Sequence, residues 1–259
     1  MNFEKGSFMG NVIEKSFSIL EQIVSSAPEP CLPSPLAEKL NLNRATCSRL
    51  LKQLTDMGYL LKVSRLQGYV PGPKLLTLNN IAGFERELLD AACPVVDRSA
   101  ETLNSSVLLA KLYGRKRYVL YHRNCSSELN IRITQPCYDD LFCTATGLLL
   151  TSHLPEEEIL ACWQEQKKAG AEIIPEYRFK KNLIAQLDQI SDRGYFECCK
   201  GIQWIYAYPI FRDGKFYAAL GASIHRSRHN PVYHRKICKV LKQAADEISR
   251  SLSPQYTIA

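Results

Sequence analysis

The sequence predicts a two-domain α+β chain: an N-terminal winged helix-turn-helix, a helical linker, and a C-terminal mixed α/β domain. Three observations predict it. Residues 34–57 carry two short helical patterns joined by a tight turn, and a hairpin pattern follows at once. Beyond Asn104 the apolar period changes from that of a helix to that of a strand, and both patterns share the remaining chain. Basic residues gather early: from Arg44 to Lys74, Arg44, Arg49, Lys52, Lys62, Arg65 and Lys74 face Asp56 as the only acid. These patterns divide the chain into 1–79, a linker over 80–103, and 104–259.

Val12, Ile13, Phe17, Ile19, Leu20, Ile23 and Val24 give a helix over 12–26 a broad apolar face, and Pro28, Pro30 and Pro33 end it. In the next helix Leu36, Ala37 and Leu40 form one face, and Leu42 fills the turn. Leu50, Leu51, Leu54 and Met57 continue at helical spacing over 43–57. Asn43 suits the N-cap and Gly58 the C-terminal stop. The outer face of this second helix keeps Arg44, Thr46, Ser48, Arg49, Lys52 and Gln53, side chains that hydrogen-bond phosphates and base edges. Tyr59–Val63 and Tyr69–Val70 then read as the strands of a wing, with Lys62 and Arg65 near its tip. The plainer reading is a solvated polar helix beside an ordinary hairpin; the clustered positive charge favours DNA.

Leu75, Leu76 and Leu78 lead towards the domain boundary, and a second amphipathic helix runs from Glu85 to Leu103. Pro94 inside it predicts a kink or a break. Strand patterns follow over 106–112, 117–123 and 129–133, then helices over 144–153, 156–168 and 179–192. Three late strands cover 194–199, 205–211 and 215–223, with Asp213-Gly214 as the hairpin turn between the last two. A helix over 231–251 closes the chain.

An apolar fraction of 46% with 23% charged residues is that of a soluble globular protein. The formal charge of +7 favours a polyanionic partner. The first residues lack a signal-peptide pattern, and no apolar run approaches the roughly 20 residues of a membrane span. A cytoplasmic protein without membrane contact is expected. The ten cysteines include no Cys-x-x-Cys pair and read as small apolar core residues. His225 and His229 have a spacing that suits zinc on a helix, but they follow a strand among Arg226, Arg228 and Pro231. Neither a metal nor a cofactor is expected. Lys200 alone gives Cys198 or Cys199 no activating base, so no catalytic residue is assigned.

At this point the order of parts resembles the IclR family of bacterial transcriptional regulators over nearly the whole chain. The carrying residues are Arg49-Leu50-Leu51, Gly58-Tyr59, Tyr69-x-x-Gly72-x-x-Leu75-x-x-Leu78 and Ala92-x-Pro94-Val95. Further on come Cys143-Thr144-Ala145-x-Gly147, Arg193-Gly194-Tyr195, Tyr208-Pro209-Ile210-Phe211 and Ala218-Ala219-Leu220. The resemblance implies a GAF-like C-terminal effector-binding domain, a homodimer or tetramer, and binding to palindromic double-stranded operators. It also implies a small organic effector, typically a carboxylate, whose binding changes operator affinity, as in a repressor. The family's ligand positions fall on Ala145, Thr146, Gly147 and Ser223; Glu197 matches its acidic position, and Trp204 or Ile205 lies near its cysteine position.

The start of the helix at Thr144 suits a carboxylate independently, through free N–H groups and the positive end of the helix dipole. Three departures bear on the effector: Phe142 where the family has His or Tyr, Gly147-Leu148-Leu149 where it has Gly-Lys-Ala, and a short segment from Glu197 to Ile205. Together they permit a less polar ligand. For the first domain, Arg44, Thr46, Ser48, Arg49, Lys52, Lys62 and Arg65 are the expected DNA contacts. The alternative is an enzyme built on the C-terminal domain, with the N-terminal helices as an assembly module. It lacks a Gly-rich phosphate loop or a Gly-x-Ser-x-Gly elbow.

Overall fold

The structure is a computed structural model that describes residues 11–64, 66–133 and 136–253, leaving aside the side chains at 79–82 and 181–182. Arg65, expected at the wing tip, lies outside the described residues. The chain forms two compact units, one ending at Phe84 and the other beginning at Glu85. The linker expected over 80–103 therefore divides between them.

In the first unit α1 spans Val12–Ser26 and opens on a reciprocal cap: the Glu14 N–H donates to Asn11 at 3.0 Å and the Asn11 N–H to Glu14 at 3.1 Å. Helix α2 is Pro33–Lys39 and α3 is Arg44–Asp56. Asn41 between them takes φ 50°, the left-handed turn that sets α3 across α2. The side chain of Asn43 accepts the Ala45 N–H at 2.9 Å, as its type and position predict. Strands β1 (Leu60–Ser64) and β2 (Gly68–Pro71) pair antiparallel as the wing, and Cys31 adds a bridge to Tyr69 on its free edge. Ile19, Ile23, Leu36, Cys47, Leu50, Leu51 and Leu60 fill the core, each fully buried aliphatic side chain contributing about 1.5–3 kcal/mol.

Two apolar expectations change. Met57 is the C-cap residue of α3 and is 53% exposed, because the helix ends before it can turn inward. Val12, Ile13, Phe17 and Val24 are also exposed, leaving Ile19 and Ile23 as the buried residues of α1. Val12, Ile13, Phe17, Met57 and Leu78 line an apolar groove of about 590 Å³. The stretch expected only to lead to the boundary is itself a helix, α4 (Lys74–Ala82), ended by Gly83 in the left-handed region.

The second unit begins with α5 (Arg86–Leu103), which Pro94 does not divide. Its six-stranded antiparallel sheet has the order β5-β4-β3-β8-β7-β6. The strands are β3 (Ser106–Tyr113), β4 (Lys116–Asn124), β5 (Cys137–Tyr138), β6 (Phe196–Lys200), β7 (Gln203–Arg212) and β8 (Lys215–His225). Asp213 and Gly214 join the last two with φ 49° and 73°, the double positive φ of the favoured two-residue hairpin.

Two helical layers cover the sheet. Helices α5 and α9 (Pro231–Leu252) pack on one face, against Val107, Leu109, Tyr206, Tyr208, Leu220 and Ala222. Helices α6 (Ala145–Thr151), α7 (Glu156–Lys168) and α8 (Lys180–Arg193) cover the other, against Ala110, Ile205, Ala207 and Ala219. Alternate residues of each strand thus belong to different cores, as the two-residue pleat demands.

The strand expected over 129–133 is absent. Its alternation is real, with Leu129 buried and Asn130 and Arg132 exposed, but the Asn124 side chain donates to the Leu129 and Ile131 carbonyls at 2.9 and 3.3 Å. That holds the segment as a loop, and β5 takes the edge position beside β4.

Candidate nucleic-acid interface and ligand pocket

On α3 the buried residues Cys47, Leu50, Leu51 and Leu54 fix which way the helix faces. Arg44, Ser48 and Lys52 then fall at four-residue steps along the exposed side, beside Arg49, while Thr46 is half-buried. Arg44 pairs with Glu38 of α2 at 3.1 Å, with both side chains about 70% exposed. Such a pair is worth about 0–1 kcal/mol, less than the roughly 1–3 kcal/mol of a bidentate guanine contact. A base edge would therefore displace Glu38. On the wing, Lys62 is exposed, with its ammonium 5.8 Å from the Tyr69 ring.

In the second unit a cavity of about 200 Å³ opens between the sheet, the start of α6 and the loop through Ile131 and Ile133. Ala145, Thr146 and Ser223 line it, together with Leu108, Ile205, Cys143 and Gln203. Gly221 makes room: a Cβ there would stand 2.5 Å from the Thr146 methyl group. Arg117 and Lys200 bring the charge. Arg117 is 5% exposed and clamps Asp140 with both arms of its guanidinium, one at 2.7 Å. Lys200 donates to the Cys143 carbonyl at 3.0 Å and to Glu172 at 2.9 Å. Burial would lower the Lys200 pKa, but Glu172 and the Cys143 contacts outweigh it and leave it raised, so the ammonium stays charged. Burial pushes the Cys143 thiol up and that of Cys198 to about 11, which leaves neither as a ready nucleophile.

Three expected pocket residues do not line the cavity. Gly147 packs away from it: a Cβ would meet the Leu141 carbonyl at 2.5 Å, and its N–H is taken by the Thr144 side chain at 3.2 Å. Glu197 and Trp204 lie on the opposite face of the sheet. Glu197 pairs across the strands with Tyr206, which belongs to the core under α5 and α9, and Trp204 stacks on His229 with ring centres 3.8 Å apart. One residue along, Ile205 faces the pocket. Two of the sequence departures also prove to concern packing, since Phe142, Leu148 and Leu149 are fully buried in the core beneath α6 to α8. Arg117 and Lys200 were not among the expected pocket residues; both stand at strand ends, where a basic residue is ordinary.

Both units match known families in the same order. Residues 12–64 match the IclR helix-turn-helix domain, and residues 84–250, well over half the chain, match the bacterial transcriptional regulator IclR C-terminal domain. The chain belongs to the IclR family of bacterial transcriptional regulators. This IclR-family chain is 29% identical over 185 residues to the HTH-type transcriptional regulator TtgV of Pseudomonas putida, covering 71% of the chain and 68% of that protein. It is 24% identical to the DNA-binding transcriptional repressor YiaJ of Escherichia coli, over 90% of the chain and 85% of that protein.

Among solved structures, the Thermotoga maritima IclR superposes with a TM-score of 0.70 at 23% identity, over 94% of this chain and 99% of that one. An IclR homolog from Microbacterium hydrocarbonoxydans, solved with 4-hydroxybenzoate, gives 0.74 at 16% identity, over 93% and 98%. At these identities the structures establish the shared fold. This IclR-family protein is accordingly a transcriptional regulator with a helix-turn-helix DNA-binding domain and a C-terminal effector domain, in a family of regulators rather than enzymes. Among the described residues, no helix is long and apolar enough to cross a membrane.

Proposed function

We propose that this regulator contacts a palindromic operator through Arg44, Thr46, Ser48, Arg49, Lys52 and Lys62, and that a small carboxylic acid in the cavity beside Thr146 controls that binding. The single observation that carries the effector class is the cavity's composition. Lys200 offers an ammonium whose partner Glu172 is 64% exposed and therefore weakly held. Thr146 and Ser223 add hydroxyls, and Leu108, Ile131, Ile133 and Ile205 form apolar walls. A carboxylate on a compact apolar or aromatic body fits that set, and the relative solved with 4-hydroxybenzoate supports the same class. Arg117 keeps Asp140 as its partner and shapes the wall.

Control would pass through the sheet. The pocket strands β3 and β8 carry the core that α5 packs on, and α5 is the first helix after Phe84. A homodimer, or a tetramer built from it, would present two recognition helices to half-sites about 34 Å apart. The exposed apolar face of α1 is surface that pairing would bury. The protein works in the cytoplasm, where its DNA is.

Linkage supplies the test. If 4-hydroxybenzoate or benzoate alters operator affinity by some factor, operator DNA must alter the affinity for that acid by the same factor. Acid titrations that coincide with and without operator, for an acid that does bind, would reject the coupling.

A further inference from the structure

The face of the sheet away from the pocket carries a second group of polar side chains. Helix α9 places His234 and Cys238 four residues apart, hence on one side of the helix. Strand β6 brings Glu197 up to them: its Oε2 lies 3.6 Å from His234 Nδ1, and the Cys238 Sγ lies 3.7 Å from Nε2 and 4.0 Å from Nδ1. One donor atom from each of the three falls within 4.8 Å of the other two. Bonds of about 2.0–2.3 Å in a tetrahedral zinc site place its donors roughly 3.3–3.8 Å apart. From separations within 4.8 Å, the side chains need contract by about an ångström.

The surroundings orient these donors. Arg193 holds Glu197 Oε1 at 2.8 Å, and the buried Oε2 accepts no hydrogen bond among the described residues. The Tyr206 hydroxyl lies 3.3 Å from His234 Nδ1, which helps hold the ring between Glu197 and Cys238. The plain alternative is an ion pair between Glu197 and His234, but 3.6 Å is too long for a hydrogen bond.

We propose that Glu197, His234 and Cys238 bind one zinc-class divalent ion, tying the edge strand β6 to α9. An imidazole and a thiolate, borderline and soft donors, beside a single carboxylate select zinc or cobalt over magnesium or calcium. Three protein ligands leave a fourth position for water or an exogenous ligand. The histidines weighed for zinc from the sequence, His225 and His229, are outside this donor set.

The test uses the full-length chain, reduced and stripped with a chelator, then titrated with Co²⁺ alone. One equivalent should produce a thiolate-to-cobalt charge-transfer band with the visible absorption of four-coordinate cobalt, and Zn²⁺ should displace it. Cys238→Ser should remove the band. Glu197→Gln and His234→Asn should each weaken binding about 10–100-fold, and Cys199→Ser should leave it unchanged. Zn²⁺ should also raise the Tm of the wild type, a measurement that needs no variant. No band and no Tm shift in the wild type, or a band that survives Cys238→Ser, would overturn the site.

Discussion

The two faces of the effector-domain sheet are built from the same strands, yet they hold different chemistry. The face under α6 carries Thr146, Ser223 and Ile205 around a cavity with Lys200 at its rim and Arg117 in its wall. The face under α9 carries Glu197, Trp204, Tyr206, His234 and Cys238. Adjacent residues separate them: Trp204 and Ile205 point to opposite sides, as do Glu197 and Cys198. In a strand, one residue of misassignment moves a side chain across the sheet. Thr146 lines the cavity and Glu197 does not, although both were expected at one site.

The largest effect should come from the pocket wall. Arg117→Ala leaves Asp140 partly buried and unpaired, and should lower unfolding free energy by about 3–5 kcal/mol in a denaturant titration. A loss under 1 kcal/mol would mean that water reaches this pair. In the first domain, Arg44→Ala should relax sequence preference by about 1–3 kcal/mol at one base pair, whereas Lys62→Ala should weaken all DNA alike. Equal losses on operator and random DNA for Arg44→Ala would assign it to phosphate instead.

Ligand binding tests the separation of the faces directly. Thr146→Leu fills the cavity and should weaken 4-hydroxybenzoate about tenfold or more, near 1.4 kcal/mol. Trp204→Ala should cost stability yet leave that affinity within about twofold. If calorimetry shows the two variants weakening the acid equally, the faces do not act separately.

The smallest effect concerns Glu85, which accepts hydrogen bonds from Tyr217 at 2.8 Å and from Lys111 and Tyr113. Burial would raise its pKa, but these bonds and the Lys111 charge outweigh burial and hold it below the ordinary glutamate value. A depressed carboxyl pKa contributes stability that is present above the unfolded value and lost as pH falls through the folded one. Wild type should therefore lose stability on the acid side relative to Glu85→Gln. Parallel Tm profiles down to strongly acid pH would contradict this.

Much of the first domain was legible because its signals are local. Asn43 caps the helix it precedes, Gly58 ends it, and Leu50, Leu51 and Leu54 share a face by helical geometry alone. Leu129 to Ile133 shows the limit. Its alternation correctly marks which side chains turn inward, but a strand also needs a partner, and Asn124 claims its carbonyls first. The pocket was half legible for a related reason. Ala145, Thr146 and Ser223 follow from motif positions, while Arg117 and Lys200 reach it from strands far apart in the chain.

By itself, then, the sequence determined the winged helix-turn-helix, the order of most later elements and the family, since caps, turns and apolar periods act over a few residues. Tertiary structure decided which face each strand residue occupies, which cations line the cavity, and that Glu197 lies near His234 and Cys238 rather than Thr146. Those outcomes depend on strand register and on packing between residues tens of positions apart, and no local pattern encodes them.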